Sequence, residues 1–136
     1  MMNVHDVKEL AQAGVVIGAH TLSHPMLSKM TPEAAYSEMM ESRSELGAAL
    51  DQPVWAFAYP FGNREAVSDR EPRLAARAGF KCAFTNTETE WSGDRFLVPR
   101  VHVSYGTQPS ELEARIAGLH QALRSRFSNR GARVAG

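Results

Sequence analysis

The sequence predicts an α/β chain with a mainly parallel sheet. Three observations carry that reading. Short apolar runs rich in β-branched or aromatic residues alternate with helical patterns. Each run ends in a polar or Pro/Gly-containing stretch. No internal repeat or low-complexity block interrupts the alternation.

The elements follow in order. Val4 to Ala13 has a helical pattern, with Asn3 as its cap, Val7, Leu10 and Ala11 on one face, and Gly14 as the stop. Val15 to Ala19 is a β-branched apolar run of the kind expected in a strand buried on both faces. His20 to Met30 contains Pro25 and two serines and reads as a loop. Thr31-Pro32-Glu33 opens a longer helix: cap, first-turn proline and first-turn acid, with Tyr36, Met39, Met40, Leu46 and Leu50 as its apolar face. Val54 to Tyr59 is a second strand, closed by the turn Pro60-Phe61-Gly62-Asn63. A short helix over Pro72 to Ala78 ends at Gly79, and Phe80 to Thr85 is a third strand. After a polar loop around Trp91, Phe96 to Val103 forms a fourth strand. Pro99 places it at an edge or bulge. Ser110-Glu111-Leu112-Glu113 has capping-box spacing and starts a helix with Leu112, Ile116, Leu119, Leu123 and Phe127 on one face. Residues 1–127 are expected to form one domain and residues 128–136 a flexible basic tail.

Composition narrows the function. At 136 residues the chain is sized for one domain, and 43% hydrophobic with 22% charged residues is ordinary globular usage. Lys+Arg and Asp+Glu number 15 each, which argues against a dedicated nucleic-acid binder, since that needs surplus cations. The arginines at 124, 126, 130 and 133 read as a solvated helix end that complements the helix dipole. Cys82 is the only cysteine, so a metal would have to sit on imidazole and carboxylate. No apolar run is long enough to span a bilayer. Met1 to Leu10 has no signal core, so the chain as given is expected in the cytoplasm, or outside it if an upstream leader is missing.

Two motifs carry chemistry. His20-Thr21-Leu22-Ser23-His24 places two imidazoles four residues apart directly after an apolar strand. Neutral imidazole is a preferred zinc ligand, and ligands in parallel-sheet folds collect at the carboxyl ends of strands. The spacing also allows two loop histidines that only bond the backbone. Tyr59-Pro60-Phe61-Gly62 can form a sharp turn that aims the Phe61 N–H at an oxyanion, or it can be an aromatic strand end packed on the core.

Together, "GVVIGAHTLSHP" and the later "FAYPFG" resemble the polysaccharide deacetylase family, the NodB-homology domain of carbohydrate esterases. "AGFKCAFT" is similar to another strand of that family, and the resemblance covers about Val7 to Val103. It implies an irregular (β/α) barrel and metal-dependent removal of N- or O-acetyl groups from polysaccharides or oligosaccharides. It implies His20 and His24 as ligands of a divalent metal, zinc foremost, with cobalt or nickel as alternatives. Pro60, Phe61 and Gly62 would wall the groove, with the Phe61 N–H on the oxyanion. Tyr59, Phe61 and Trp91 would offer rings to a sugar. Arg100 would orient the base in place of an arginine that many members carry where this chain has Ala58, and His102 would act as general acid.

Besides Ala58, the chain departs from the family pattern in its carboxylates. The family draws a third ligand and its base from adjacent aspartates, and no Asp-Asp pair occurs here. The resemblance therefore implies a partial barrel lacking its first one or two βα units, weak stand-alone activity, and self-association or a complementing N-terminal segment that covers the open flank. Three other readings stay open: a non-catalytic carbohydrate-binding remnant, a hydrolase of a small cyclic amide on the same scaffold, and an interaction domain with incidental histidines.

Overall fold

The computed structural model of the chain describes residues 2–88, 91–113 and 115–116. Helix α1 spans Val4–Gln12. Asn3 caps it by accepting from the N–H groups of His5 and Asp6, while Asp6 reaches back to the Asn3 N–H. Val7 is half-buried on this helix, whereas Leu10 stays exposed. Helix α2 spans Pro32–Leu50, capped by Thr31 through the Ala34 N–H as the sequence predicts. Ala35, Met39 and Ser42 are its buried residues, a helical stripe, while Met40 faces outward. A single 3-10 turn, Leu27–Lys29, lies in the loop before it.

Strand β1 (Ala56–Ala58) and strand β2 (Cys82–Phe84) pair in parallel, with Phe57 opposite Ala83. Helix α3 (Arg70–Arg77) connects them. Single parallel bridges extend the sheet on both sides, Ala19 to Phe57 and Phe84 to Val98. The spatial order thus follows chain order, which is the arrangement successive βα units produce. The core gathers under this sheet: Phe57, Tyr59, Phe80, Ala83 and Phe96 pack with Met39 and Leu27.

Four expectations need correction. The run Val15 to Ala19 is not buried on both faces. Only Ala19 pairs, and Val15 and Val16, which precede that bridge, are 46% and 60% exposed. The fourth strand does not reach Val103. Its last rung is Thr85 N–H to Val98 O, after which Pro99 has no N–H to donate and residues 102–104 are exposed. Arg100 and His102 thus lie beyond the last rung of the sheet. Helix α3 starts at Arg70, two residues before Pro72, because Glu71 folds back onto the Ser68 N–H and hydroxyl, both at 2.7 Å. The last helix starts at residue 109, where Gln108 O accepts from Glu111 and Leu112, so Ser110 is already inside it and Ile116 is exposed. Leu119, Leu123, Phe127, the four C-terminal arginines and the tail assigned to 128–136 lie outside the described residues. Among the described residues no helix is long and apolar enough to cross a membrane.

Candidate functional site

The carboxyl ends of Ala19 and β1 lie side by side, and the two motifs meet there. His20 follows the bridged Ala19, and its Nδ1 lies 2.7 Å from the Ala58 carbonyl at the end of β1. A carbonyl only accepts, so Nδ1 carries the proton and the Nε2 lone pair is left for a cation. The chain then turns so that the His24 ring meets the His20 ring edge-on, centroids 4.9 Å apart. The Phe61 ring completes the group at 5.1 Å from His24.

This convergence is built on unfavourable backbone. Thr21, His24 and Phe61 have φ of 65°, 58° and 62°. Left-handed conformation costs a non-glycine residue roughly 1–2 kcal/mol, so other contacts must hold the loop. Thr21 Oγ1 accepts the His24 N–H at 3.1 Å and donates to the His20 carbonyl, keeping the loop closed on itself. Glu38 of α2 accepts the N–H groups of Leu22 and Ser23 at 2.9 and 3.0 Å and the Ser23 hydroxyl. At the downstream end, Arg70 donates to the carbonyls of Leu27 and Met30. None of these long-range holds has a local sequence signature. The Ser68-x-x-Glu71 spacing, a capping-box signal, could have revealed the start of α3 and with it the Arg70 anchor.

In the aromatic turn, Gly62 donates to Pro60 O at 2.7 Å and accepts from Asn86 N–H at 2.8 Å, which ties the turn to the end of β2. Gly62 sits at φ 61°, and a Cβ there would lie 2.6 Å from the Asn86 nitrogen. Only glycine satisfies both the angle and the approach. Phe61 is 48% exposed, and among the described residues its N–H meets no acceptor.

The other expected site residues are placed less centrally. Tyr59 is 1% exposed and donates its hydroxyl to Phe96 O at 3.0 Å. Burial, with the charges of Asp94 and Glu71 adding to it, pushes its phenol far above the ordinary range. Its ring stacks edge-on against Phe57 and offers no face to a sugar, because Phe57 and Tyr59 share the inward side of the strand. Pro60 is likewise fully buried. Arg100 is held at the end of β2 by its Nε bond to Thr85 O at 2.9 Å, next to the Asn86 that ties the turn. His102 is exposed, and its backbone is clamped by Glu88 and Arg115. Trp91 is half-buried and gives its indole N–H to Asp94 O.

Two clefts flank the His20 segment. One of about 410 Å³ is lined by Val16, Trp55, Phe57, Ala58 and Phe84. One of about 320 Å³ lies on the other side, against Ser42, Glu45, Leu46 and Ala49 of α2. Among the described residues no group of three His, Cys, Asp or Glu side chains comes together. Two imidazoles are fewer than the three protein ligands that a catalytic zinc site uses.

The sequence profile of the Polysaccharide deacetylase family matches residues 2–83. The chain belongs to the polysaccharide deacetylase family. YxkH of Bacillus subtilis (strain 168), a protein assigned by name to the same family, is 29% identical over 115 residues, which is 83% of this chain and 40% of YxkH. The structure of Streptococcus pyogenes deacetylase PplD, in complex with acetate, is similar with a TM-score of 0.74 and 26% identity over 84% of this chain and 50% of PplD. BC0361, a polysaccharide deacetylase from Bacillus cereus, shares the fold at a TM-score of 0.71, with 24% identity over 85% of this chain and 36% of its own. This deacetylase-family chain thus spans half or less of the length of these relatives.

Proposed function

We propose that the chain carries the imidazole half of a metal-dependent deacetylase site that acts on acetylated polysaccharide or oligosaccharide. The observation that supports this most directly is the meeting of His20 and His24, with centroids 4.9 Å apart, on a loop held in left-handed backbone. In this reading the chain is a partial, irregular (β/α) barrel over residues 1–127 with a basic tail at 128–136. A third ligand and the base come from a complementing segment, which would also cover the edge at Val15 and Val16; self-association would cover that edge without supplying them.

Each residue then has a task. His20 and His24 hold the ion, zinc foremost, with cobalt or nickel able to substitute. A divalent ion bound there supplies Lewis acidity and lowers the pKa of a coordinated water. The Phe61 N–H donates to the oxyanion of the tetrahedral intermediate. Gly62 and Pro60 fix the turn that presents it. Arg100, anchored on Thr85, orients the base, and His102 delivers the proton to the leaving amine. Phe61 and Trp91 supply the faces on which a sugar ring stacks, and Tyr59 serves the core.

Cobalt(II) titration and acetate release from acetylated chito-oligosaccharides test this together. Metal binding that His20→Ala or His24→Ala abolishes, with acetate released once a complementing segment is added, supports the proposal. Metal binding and sugar binding without acetate release under those conditions would make the chain a non-catalytic remnant. A chain that takes no zinc, cobalt or nickel, and is indifferent to His20→Ala, has structural histidines.

A further inference from the structure

We infer that Glu38 is the positioning residue of the histidine pair: from α2 it holds the residues between His20 and His24, and so fixes the separation of the two imidazoles. The inference rests on the metal-binding reading of that pair and extends it to a residue outside both motifs. Leu22 and Ser23 are exposed loop residues flanked by Thr21 and His24, both in left-handed backbone. A loop so strained and so exposed would relax unless an outside group fixed its middle. One carboxylate does this with three bonds: Oε2 accepts both N–H groups, at 2.9 and 3.0 Å, and Oε1 accepts the Ser23 hydroxyl. Glu38 sits on α2, whose Ala35 and Met39 are buried on either side of it in sequence, so the carboxylate is mounted on a rigid element. Partial burial alone would raise its pKa. The Ser23 hydroxyl and the Ser23 and Leu22 N–H groups overcome that and hold the carboxyl below its ordinary value, so it is an anion at neutral pH. Charge-assisted bonds of this kind are about twice as strong as neutral ones. The loop's own closure, Thr21 to His24, uses none of the atoms that Glu38 holds, so the two holds are separate.

The test is cobalt(II) titration, followed by visible absorption, of the wild-type chain and of Glu38→Ala, Glu38→Asp and Glu38→Gln. Amide hydrogen exchange at Leu22, Ser23 and His24 is measured alongside. Loss of an outer partner that orients ligands costs on the order of 10–100-fold in metal affinity, and that is the expected loss for Glu38→Ala, with Leu22 and Ser23 exchanging faster. Glu38→Gln keeps one carbonyl oxygen for the two N–H groups and an amide that can donate to the Ser23 hydroxyl, so it is expected to restore most of the affinity. Glu38→Asp keeps the charge but withdraws it, so it stays folded with reduced affinity, and it carries the test if Glu38→Ala does not fold. Wild-type cobalt affinity in folded Glu38→Ala, or in Glu38→Asp in its place, overturns this inference alone. A wild-type chain that binds no cobalt overturns the metal reading, and this inference with it.

Discussion

Replacing Glu71 by alanine should strongly destabilise the chain. Its side chain is fully buried and its two oxygens are saturated. Ser68 donates its N–H and hydroxyl at 2.7 Å, and Arg70 donates Nε at 2.9 Å with a second guanidinium nitrogen at 2.7 Å. Removing one member of a buried ion pair costs about 3–5 kcal/mol, because the other charge is left without its partner. A total stability of about 5–15 kcal/mol is usual for a domain, so a substantial fraction of the margin would go. Arg70 also holds Leu27 and Met30, so the histidine loop should loosen at the same time. Urea denaturation followed by circular dichroism measures the loss. The sign with pH follows from the same contacts. Burial alone would raise the Glu71 carboxyl, but the bonds from Ser68 and Arg70 win and hold it below its ordinary value of 4.5. The unfolded chain therefore takes up the proton first on acidification. The stability this group supplies is present in full above the unfolded pKa and is lost as pH falls below 4.5 through the folded pKa. Glu71→Ala should flatten part of that acid limb. A loss under about 1 kcal/mol, or an unchanged acid limb, would refute the view that this carboxylate anchors α3.

Three further outcomes are expected. Gly62→Ala should destabilise by roughly 2–4 kcal/mol, since its Cβ meets the backbone of Asn86, which cannot rotate away, and the shift should show in the Phe61 and His24 ring resonances. Tyr59→Phe should cost about 1–2 kcal/mol through loss of the bond to Phe96 O, and cobalt binding should stay at the wild-type level, as expected of a core residue. Arg100→Ala should lower acetate release from the complemented chain by tenfold or more (about 1.4 kcal/mol) with little change in urea midpoint, because the guanidinium is exposed and makes one backbone bond; equal loss of stability and rate would assign it a structural role.

How much of this was legible in the sequence depends on how local each cause is. The caps of α1 and α2 were readable because Asn3 and Thr31 bond within their own first turns. The histidine pair and the Pro60–Gly62 turn were readable because each motif lies within a few residues. The exposure of Val15 and Val16 is not legible, because an apolar run states what a strand can tolerate, not what lies beside it. An aromatic beside a turn fits a groove, so the sequence points Tyr59 at substrate. Its parity with Phe57 places it in the core instead. Glu38 was out of reach: its three bonds cross from a helix to a loop, and nothing in the residues around it announces them.

The stretch between β2 and Val98 has a consequence of its own. Its described residues form neither helix nor strand, yet both ends are pinned to the sheet, Ala83 N–H to Arg95 O and Thr85 N–H to Val98 O. Strand register is thus set independently of how long the intervening span is, and doubling a flexible connection costs only about 0.6 kcal/mol. Insertions between Asn86 and Asp94 can accumulate without moving the frame that carries the two imidazoles.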